Sequence, residues 1–322
     1  MELPHAPWRY LPSGQEYPQR SPIPGRDGKT WGTDEWLLAQ AYQRHLLQTA
    51  TVDGKLNALI DRLQKAGVYD RALVIVTADH GISFTPGTNM RVAARETLGE
   101  IAAVPMFVKL PGQSEGEIND RPVATFDVVP TIADVLDVEG LYPTDGVSMF
   151  APGPARTTRE IRSMRGHGLT FGVSGEEKDA VVARKLALFG KRGGVERLYR
   201  LAPDRYESLI GLEISGKGGG SASSRASIDS AGSYAHFDPA ARLVRCLVTG
   251  HLEGVSTTQQ ILAVVVQGRV VAVTRTFVKS GEVRFHAMIS PDAFRRGANT
   301  LAIYLVQPGA HAPVLRLIPQ SG

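Results

Sequence analysis

An acid and an imidazole stand side by side at the end of an apolar run in the first third of the chain. The five apolar residues Ala72–Val76 are followed within a few positions by Asp79, His80 and Gly81. The run predicts a strand buried on both faces, and ligands of open α/β sheets bind at such strand ends. Adjacent side chains of a strand point to opposite faces, so both groups reach one ion only if the backbone turns, which Gly81 permits. The spacing predicts that Asp79 and His80 are two ligands of one metal ion.

The segment around these two residues also resembles a known family. Val76–Gly81 (Val-Thr-Ala-Asp-His-Gly) is similar to the second metal-binding motif of the alkaline phosphatase/sulfatase superfamily. Three further blocks follow in the family's order, namely Val104–Gly112, Phe126–Ile132 and Asp145–Ser148. The resemblance implies an α/β fold, an alkaline-phosphatase-like sandwich that is present here in part.

The same resemblance implies a metal-dependent hydrolase or transferase of phosphate or sulfate esters. Asp79 and His80 would bind a divalent metal ion, and the substrate would be an anionic ester, with lipid-linked esters included. Calcium sulfatases of the family carry Asn where this chain has His80. Because imidazole suits Mn or Zn better than Ca, the motif favours Mn or Zn. It thereby favours phosphate-type members such as phosphoglycerol or phosphoethanolamine transferases and phosphonate hydrolases.

Two further residues are candidates for contacts with the substrate. His5 matches a His-x-Pro element that in the family contacts the anionic head of the substrate, and it could protonate the leaving oxygen. A histidine in a frayed, proline-rich terminus is the alternative reading of His5. Arg91 lies in the loop after His80, and its guanidinium is well matched to phosphate or sulfate oxygens. The alternative for Arg91 is a side chain that faces solvent.

Periodicity predicts the elements that position these residues. A helix should begin after Thr33 and Asp34 and end near Gly67, and a second should cover Val128–Leu136. Short strands are predicted at Val104–Leu110, Ala180–Phe189 and Val195–Tyr199. The first helix should bury Val52, Leu56, Leu59, Ile60 and Leu63, and the second should pack on a sheet through Val128, Ile132, Val135 and Leu136.

Composition shifts divide the chain into three parts. Residues 1–213 are expected to be the C-terminal part of a sulfatase/alkaline-phosphatase-like catalytic domain. Residues 214–235 form a Gly/Ser-rich linker, of which 216–224 are the clearest part. Residues 236–322 contain short runs that alternate apolar and polar residues, which is typical of a small antiparallel β-sandwich.

Composition excludes several classes of function. The chain has 322 residues, is 43% hydrophobic and carries a net charge of +4, which is too diffuse to favour nucleic acid as a partner. The single cysteine, Cys246, excludes an intrachain disulfide and is expected to be buried in a strand. No signal peptide or membrane-spanning run is visible in the sequence, whereas full-length members of the resembled family are extracytoplasmic and membrane-associated.

The family's chemistry needs a nucleophile and a further metal carboxylate, and neither is recognisable in this sequence. We therefore expect that a missing N-terminal half or an upstream membrane segment supplies them, and that this chain alone is inactive. The alternative function is a non-catalytic remnant whose β-domain binds a partner or a glycan. The intact Asp79-His80-Gly81 sequence favours the enzyme.

Overall fold

The structure is a computed structural model that describes residues 3–18, 23–138, 143–162, 168–172, 176–191, 193–214, 222–255, 259–310 and 312–321. Within them lie four α-helices: α1 (Glu35–Lys65), α2 (Leu98–Ile101), α3 (Val128–Val135) and α4 (Glu176–Phe189). The first six strands are β1 (Arg26–Asp27), β2 (Thr30–Trp31), β3 (Val74–Thr77), β4 (Met106–Lys109), β5 (Thr158–Arg162) and β6 (Gly168–Gly172). The later strands are β7 (Arg225–Ile228), β8 (Leu247–Glu253), β9 (Ile261–Val266), β10 (Arg269–Arg275), β11 (Phe277–Lys279), β12 (Glu282–Met288), β13 (Leu301–Gln307) and β14 (Val314–Ile318).

The chain divides into two compact units. The first unit contains residues 1–26, 34–54 and 186–322, and the second contains residues 27–33 and 55–185. The division differs from the predicted boundaries, because residues 1–26 and 34–54 belong with the C-terminal strands. Much of the predicted linker, 215–221, lies outside the described residues, and β7 falls inside the remainder of that linker.

The first unit is built on two four-stranded antiparallel sheets. Their strand orders are β10-β9-β13-β14 and β11-β12-β8-β7. Val248 and Phe285 of one sheet and Val264 and Ile303 of the other lie in the same buried cluster, so the two sheets share a core. Cys246 is buried in this cluster as expected, but it precedes β8 rather than lying within a strand.

Helix α1 begins as the sequence predicts. Asp34 Oδ1 accepts hydrogen bonds from the backbone amides of Trp36 and Leu37, at 3.0 and 3.2 Å, which satisfies donors that the first helical turn leaves open. The predicted buried face is wrong, however. The buried residues of α1 lie between Trp36 and Thr51, while the apolar side chains from Val52 to Leu63 are half-buried or exposed. The first part of α1 is buried because its glutamines and its arginine make hydrogen bonds to neighbouring elements, which an apolar pattern does not reveal.

In the second unit the strand before the candidate site pairs with one neighbour. β3 runs antiparallel to β4, with Val74 opposite Lys109 and Thr77 opposite Met106. The apolar run 72–76 is half-buried, so the expectation of burial on both faces is wrong within the described chain. The reason is that β3 and β4 form a sheet of two strands among the described residues, so the side chains of β3 stay partly accessible to solvent.

Two other predicted elements differ from the structure. Ala180–Phe189 was expected to be a strand but belongs to helix α4, and Val195–Tyr199 lies in a 3₁₀ helix. Good helix formers, Glu, Lys, Ala and Leu, precede the run Ala180–Phe189 and occur within it, and they outweigh its two valines. Helix α3 has the predicted extent within one residue, but Ile132 and Leu136 are exposed and Thr131 is its buried residue.

No helix in the described part of the chain combines the length and apolar character that crossing a bilayer requires.

Candidate functional site

The candidate site begins where the chain leaves β3 and turns beside α2. The backbone amide of Gly81 donates a hydrogen bond to the carbonyl oxygen of Ile101 at 2.8 Å. A Cβ atom at position 81 would lie 1.9 Å from the carbonyl oxygen of Glu100. Only glycine permits this approach, so the predicted need for Gly81 arises from close backbone contact. The contact fixes the direction in which Asp79 and His80 leave the strand.

Asp79 and His80 lie together, as the sequence predicts. Oδ2 of Asp79 is 3.7 Å from Nε2 of His80, and Oδ1 of Asp79 accepts a hydrogen bond from the His80 backbone amide at 2.8 Å. The Asp79 side chain is 87% exposed, whereas that of His80 is about one-third exposed. The carboxylate is therefore open to solvent while its neighbour is held against the protein.

The histidine is held in one tautomer. Nδ1 of His80 is 2.7 Å from the carbonyl oxygen of Gly81, which can only accept, so Nδ1 carries the proton. Nη2 of Arg91 donates to Nε2 at 2.6 Å, which requires a lone pair on that atom. The imidazole is therefore neutral, and its outward nitrogen is the acceptor. A histidine whose other ring nitrogen donates to a backbone carbonyl is the usual arrangement of a metal ligand.

These two side chains fit one divalent ion. Ligand atoms about 2.0–2.2 Å from one ion lie roughly 3–4 Å apart, and the measured separation of 3.7 Å falls in that range. Asp79 supplies oxygen and His80 supplies nitrogen. Among the described residues no group of three or more His, Cys, Asp or Glu side chains is placed to hold a metal. A metal site that used Asp79 and His80 would therefore need further donors.

Arg91 is the third predicted residue that the structure brings to this place. Besides its bond to His80, its backbone amide donates to Oδ1 of Asn89 at 3.0 Å, which shapes the loop. The positive charge of the Arg91 guanidinium therefore lies next to Nε2 of His80. An oxyanion bound there would be within reach of its donors, and a metal ion would compete with it for the His80 lone pair.

A buried carboxylate beneath the loop was not predicted from the sequence. Oε2 of Glu100 accepts hydrogen bonds from the hydroxyls of Ser83 and Thr85, at 2.6 and 2.8 Å, and Oε1 accepts from the Phe84 amide at 3.1 Å. Arg184 of α4 forms an ion pair with the same carboxylate. Glu100 therefore ties the loop after His80 to α2 and α4. It stands 20 positions from His80 with no motif around it, so no sequence signal marks it.

Two of the family-like blocks meet at another buried carboxylate. Asp127 forms a two-point ion pair with Arg156 and accepts hydrogen bonds from the backbone amides of Ala124 and Val147, at 2.9 and 3.1 Å. Burial alone would raise the pKa of this carboxyl, but the hydrogen bonds from Arg156, Ala124 and Val147 outweigh it and the pKa is lowered. A Cβ atom on Gly146 would lie 2.2 Å from the Phe126 carbonyl oxygen. These two blocks are therefore held together through Asp127 and the close backbone contact at Gly146.

The block that contains β4 has a similar structural role. Nζ of Lys109 donates to the carbonyl oxygens of Tyr69, Asp70 and Ala72, at 2.6, 2.9 and 3.1 Å, and lies 4.7 Å from the Tyr69 ring centroid. The ammonium thus satisfies the carbonyls of the turn that leads from α1 into β3. Its position supports the strand that carries the site.

His5 belongs to the first unit, whereas Asp79, His80 and Arg91 belong to the second. The His5 ring is exposed, and its Nδ1 lies 2.6 Å from the Ala6 carbonyl oxygen. Its backbone is anchored by Gln48 of α1, whose Nε2 donates to the carbonyl oxygens of Pro4 and His5, at 3.1 and 2.8 Å. Oε1 of Gln48 accepts from the Arg9 amide at 3.0 Å. The loop is therefore fixed on the helix, and the frayed-terminus reading is wrong for residues 3–10.

Comparison with known proteins shows which family the first part of the chain resembles. Residues 3–138 match the Sulfatase family model. An N-acetylglucosamine-6-sulfatase of Homo sapiens is 25% identical over 165 residues, which are 46% of this chain and 30% of that protein. A lipoteichoic acid synthase of Staphylococcus aureus is 32% identical over 119 residues, which are 33% of this chain and 18% of that protein.

Residues 3–138 are similar to proteins of the alkaline phosphatase/sulfatase superfamily. The resemblance of the three blocks within residues 3–138 is thereby confirmed, and with it an α/β architecture for this region, while the block Asp145–Ser148 lies beyond the matched residues. The chain spans less than a third of the length of these superfamily relatives. No solved structure matches the chain. Superfamily members named for a sulfate ester and for the synthesis of lipoteichoic acid both resemble it, so membership leaves the ester class open.

Proposed function

We propose that this polypeptide is part of a metal-dependent hydrolase or transferase of phosphate or sulfate esters in which Asp79 and His80 hold the metal. The observation that carries the proposal is the geometry of His80. Its Nδ1 proton is held by the Gly81 carbonyl, and its Nε2 lone pair faces outward, 3.7 Å from a carboxylate oxygen of Asp79. A neutral, oriented imidazole beside an exposed carboxylate suits a divalent ion far better than it suits a structural ion pair.

The chain's own residues would bind and orient the ester. Arg91, already at the outward nitrogen of His80, would donate to an oxygen of the phosphate or sulfate group. His5, which belongs to the first unit, stays a prediction of the family resemblance, as a contact for the anionic group or a proton donor to the leaving oxygen. A bound divalent ion supplies positive charge against the charge that develops on the ester oxygens.

The donor set favours Mn or Zn over Ca. Calcium is bound by oxygen ligands, whereas His80 contributes a ring nitrogen. A nitrogen ligand in turn favours phosphate-type chemistry within the superfamily. The similarity to a protein named lipoteichoic acid synthase supports an ester that is anionic and lipid-linked. We place the complete enzyme outside the cytoplasm, in association with a membrane.

The remaining ligands and the nucleophile come from polypeptide beyond the described residues. Two ligands rarely make a metal site, and within the described chain no third donor of the usual kinds joins Asp79 and His80. Together with that polypeptide, β3, β4 and the helices of the second unit would form the alkaline-phosphatase-like sandwich. The two sheets that share a core in the first unit would form an accessory β-sandwich.

Turnover of synthetic esters tests this function. The protein expressed from its complete reading frame should hydrolyse a p-nitrophenyl phosphodiester in preference to p-nitrophenyl sulfate, with Mn more effective than Ca. His80→Ala and Asp79→Ala should each lower kcat/KM by about a hundredfold or more, since both would remove a metal ligand. The matched control is His236→Ala, because His236 is exposed and lies on another element.

Each result supports or contradicts a definite part of the proposal. A preference for the sulfate ester and calcium would overturn the phosphate assignment. Turnover that is unchanged in both site variants would overturn the role of Asp79 and His80. Absence of turnover with every ester, with and without metal, would favour the non-catalytic alternative, in which the β-domain binds a partner or a glycan.

A further inference from the structure

A second place in the molecule carries uncompensated positive charge in a cavity. The cavity has a volume of about 60 Å³ and lies within the first unit. It is lined mainly by polar side chains of α1, the segment after β7, the segment before β8, and β12. The lining residues on which the argument depends are Arg44, Asp229, Tyr234, Arg245, Arg284 and His286. None of them belongs to the Asp79–His80–Arg91 cluster.

Arg44 is the most deeply buried of these charges. It is 2% exposed, and Nη2 lies 3.1 Å from Nδ1 of His286. No carboxylate forms an ion pair with Arg44 in the part of the chain that the structure describes. A guanidinium does not lose its proton at physiological pH, and burying its charge without a counter-charge is strongly unfavourable. Buried arginines are almost always paired for this reason.

The groups around Arg44 do not supply the counter-charge. Burial, followed by the positive charges of Arg44, Arg284 and Lys279, lowers the pKa of His286 well below its usual value, so the imidazole is neutral. Burial raises the pKa of Cys246 to about 12, so its thiol is neutral as well. His286 accepts a hydrogen bond from Arg44 but leaves its charge uncompensated.

Asp229, the one acid among the lining residues, already has hydrogen-bond and ion-pair partners. Oδ2 of Asp229 accepts from Thr249 and from Nη2 of Arg284, both at 2.7 Å, and Nη1 of Arg284 binds Glu282 at 2.7 Å. Arg245, by contrast, is half-buried and makes no ion pair or hydrogen bond through its side chain with any described residue. Two positive charges, those of Arg44 and Arg245, are therefore left over at the cavity.

We infer that this cavity is a binding site for a dianionic tetrahedral group, a phosphate or an inorganic sulfate. Two uncompensated guanidinium groups match two negative charges, and both present forked donors suited to tetrahedral oxyanions. Tyr234 adds a hydroxyl, which burial keeps protonated and able to donate. A volume of about 60 Å³ holds one such group and is far below the several hundred Å³ of a site for a whole organic ligand. Ser230 at the rim is exposed, so the cavity reaches the surface.

The phosphate could be a free ion or the end of a phosphomonoester, and the two share the same chemistry. The full chain should be titrated with inorganic phosphate, inorganic sulfate, glycerol phosphate and acetate, at constant ionic strength set with chloride. We expect the dianions to bind saturably and to raise the midpoint of thermal unfolding by about 4 °C or more at roughly a hundred times the dissociation constant. Acetate and chloride should not. Tighter binding of glycerol phosphate than of phosphate identifies the ester as the ligand, and the reverse identifies the free ion.

Variants show whether the cavity is responsible. Arg245→Gln should weaken phosphate binding by about tenfold or more, since one charge-assisted hydrogen bond is lost. Arg44→Met should abolish binding while the protein stays folded, because the substitution removes a buried charge. Arg225→Gln is the matched control, an exposed arginine of β7. Binding that is absent for every dianion, or that Arg245→Gln and Arg225→Gln change equally, would overturn the inference, whatever the outcome at Asp79 and His80.

Discussion

Gly81 and Glu100 are in contact through their backbones, at a distance that leaves no space for a side chain. A Cβ atom at position 81 would lie 1.9 Å from the Glu100 carbonyl oxygen, and the Glu100 side chain binds the loop that follows Gly81. Gly81 and Glu100 together therefore fix the position of His80, which lies in the chain between β3 and Gly81.

Substitution of this glycine should therefore destabilise the protein. Gly81→Ala forces the loop away from α2, and we expect the free energy of unfolding to fall by about 1–3 kcal/mol, as for other overpacked sites. Gly116→Ala is the control, since a Cβ atom there meets nothing within 4 Å and the change should be neutral or slightly stabilising. Chemical denaturation measures both. Equal stability of the two variants would show that the close contact does not exist in solution.

The Asp127–Arg156 ion pair should be a main source of stability in the second unit. Asp127→Asn leaves Arg156 and two backbone amides without their charged acceptor, so we expect a loss of about 3–5 kcal/mol, against little change for the exposed Asp145→Asn. The folded-state pKa of Asp127 is lowered below 3.8. Its stabilisation is therefore present above pH 3.8 and is lost as the pH falls toward the lowered pKa. Urea unfolding at pH 7 and at pH 3 should show a smaller difference between the native protein and Asp127→Asn at the lower pH.

The buried His286 should give the first unit a second pH dependence. Its folded-state pKa lies well below 6.5, chiefly because of burial. The unfolded chain then binds the proton first, so stability is full above pH 6.5 and falls with pH below it, by at most about 1.4 kcal/mol per unit. His286→Gln keeps an acceptor for Arg44 and should remove this slope between pH 6.5 and the lowered pKa, whereas His236→Gln should keep it. A slope that is unchanged in His286→Gln would contradict the buried, neutral imidazole.

Arg91 should compete with metal for His80. Its Nη2 lies 2.6 Å from the ring nitrogen that a metal would use, and its charge repels a cation. Arg91→Gln should therefore raise the affinity of the chain for Mn²⁺ or Zn²⁺ by about tenfold, whereas the exposed Arg95→Gln should not. Calorimetric titration compares them. An affinity that decreases in Arg91→Gln would mean that the arginine supports the metal rather than excluding it.

Local patterns predicted the elements that carry the site but not the residues that support it. The Asp34 cap, the extent of α1 and the turn at Gly81 depend on neighbours in sequence, so they were visible there. The pairing of His80 with Asp79 follows for the same reason. Glu100 binds Arg184 across 84 positions, and Arg44 meets His286 across 242. Contacts of that range leave no periodic signal in the sequence. The type of a single polar residue also does not show whether it is buried.

Burial was the property that sequence reasoning predicted least well. The apolar stripe of α1 from Val52 to Leu63, Ile132 of α3 and Leu136 just after α3 have the spacing of buried faces but are half-buried or exposed. Hydrophobic periodicity shows which face of a helix is suited to burial. Whether that face is buried depends on whether another element packs against it. In α1 the polar Gln40, Gln43 and Gln48 are buried instead, because each finds hydrogen-bond partners.

The central claim is that Asp79 and His80 hold a divalent metal, and paramagnetic broadening by Mn²⁺ tests it most directly. In amide spectra of the full chain, substoichiometric Mn²⁺ should broaden the signals of residues 79–81 and 91 before others, even if two ligands bind it weakly. Broadening should disappear in Asp79→Ala and in His80→Ala and persist in His236→Ala. Broadening centred elsewhere, or unchanged when Asp79 and His80 are replaced, would contradict the account.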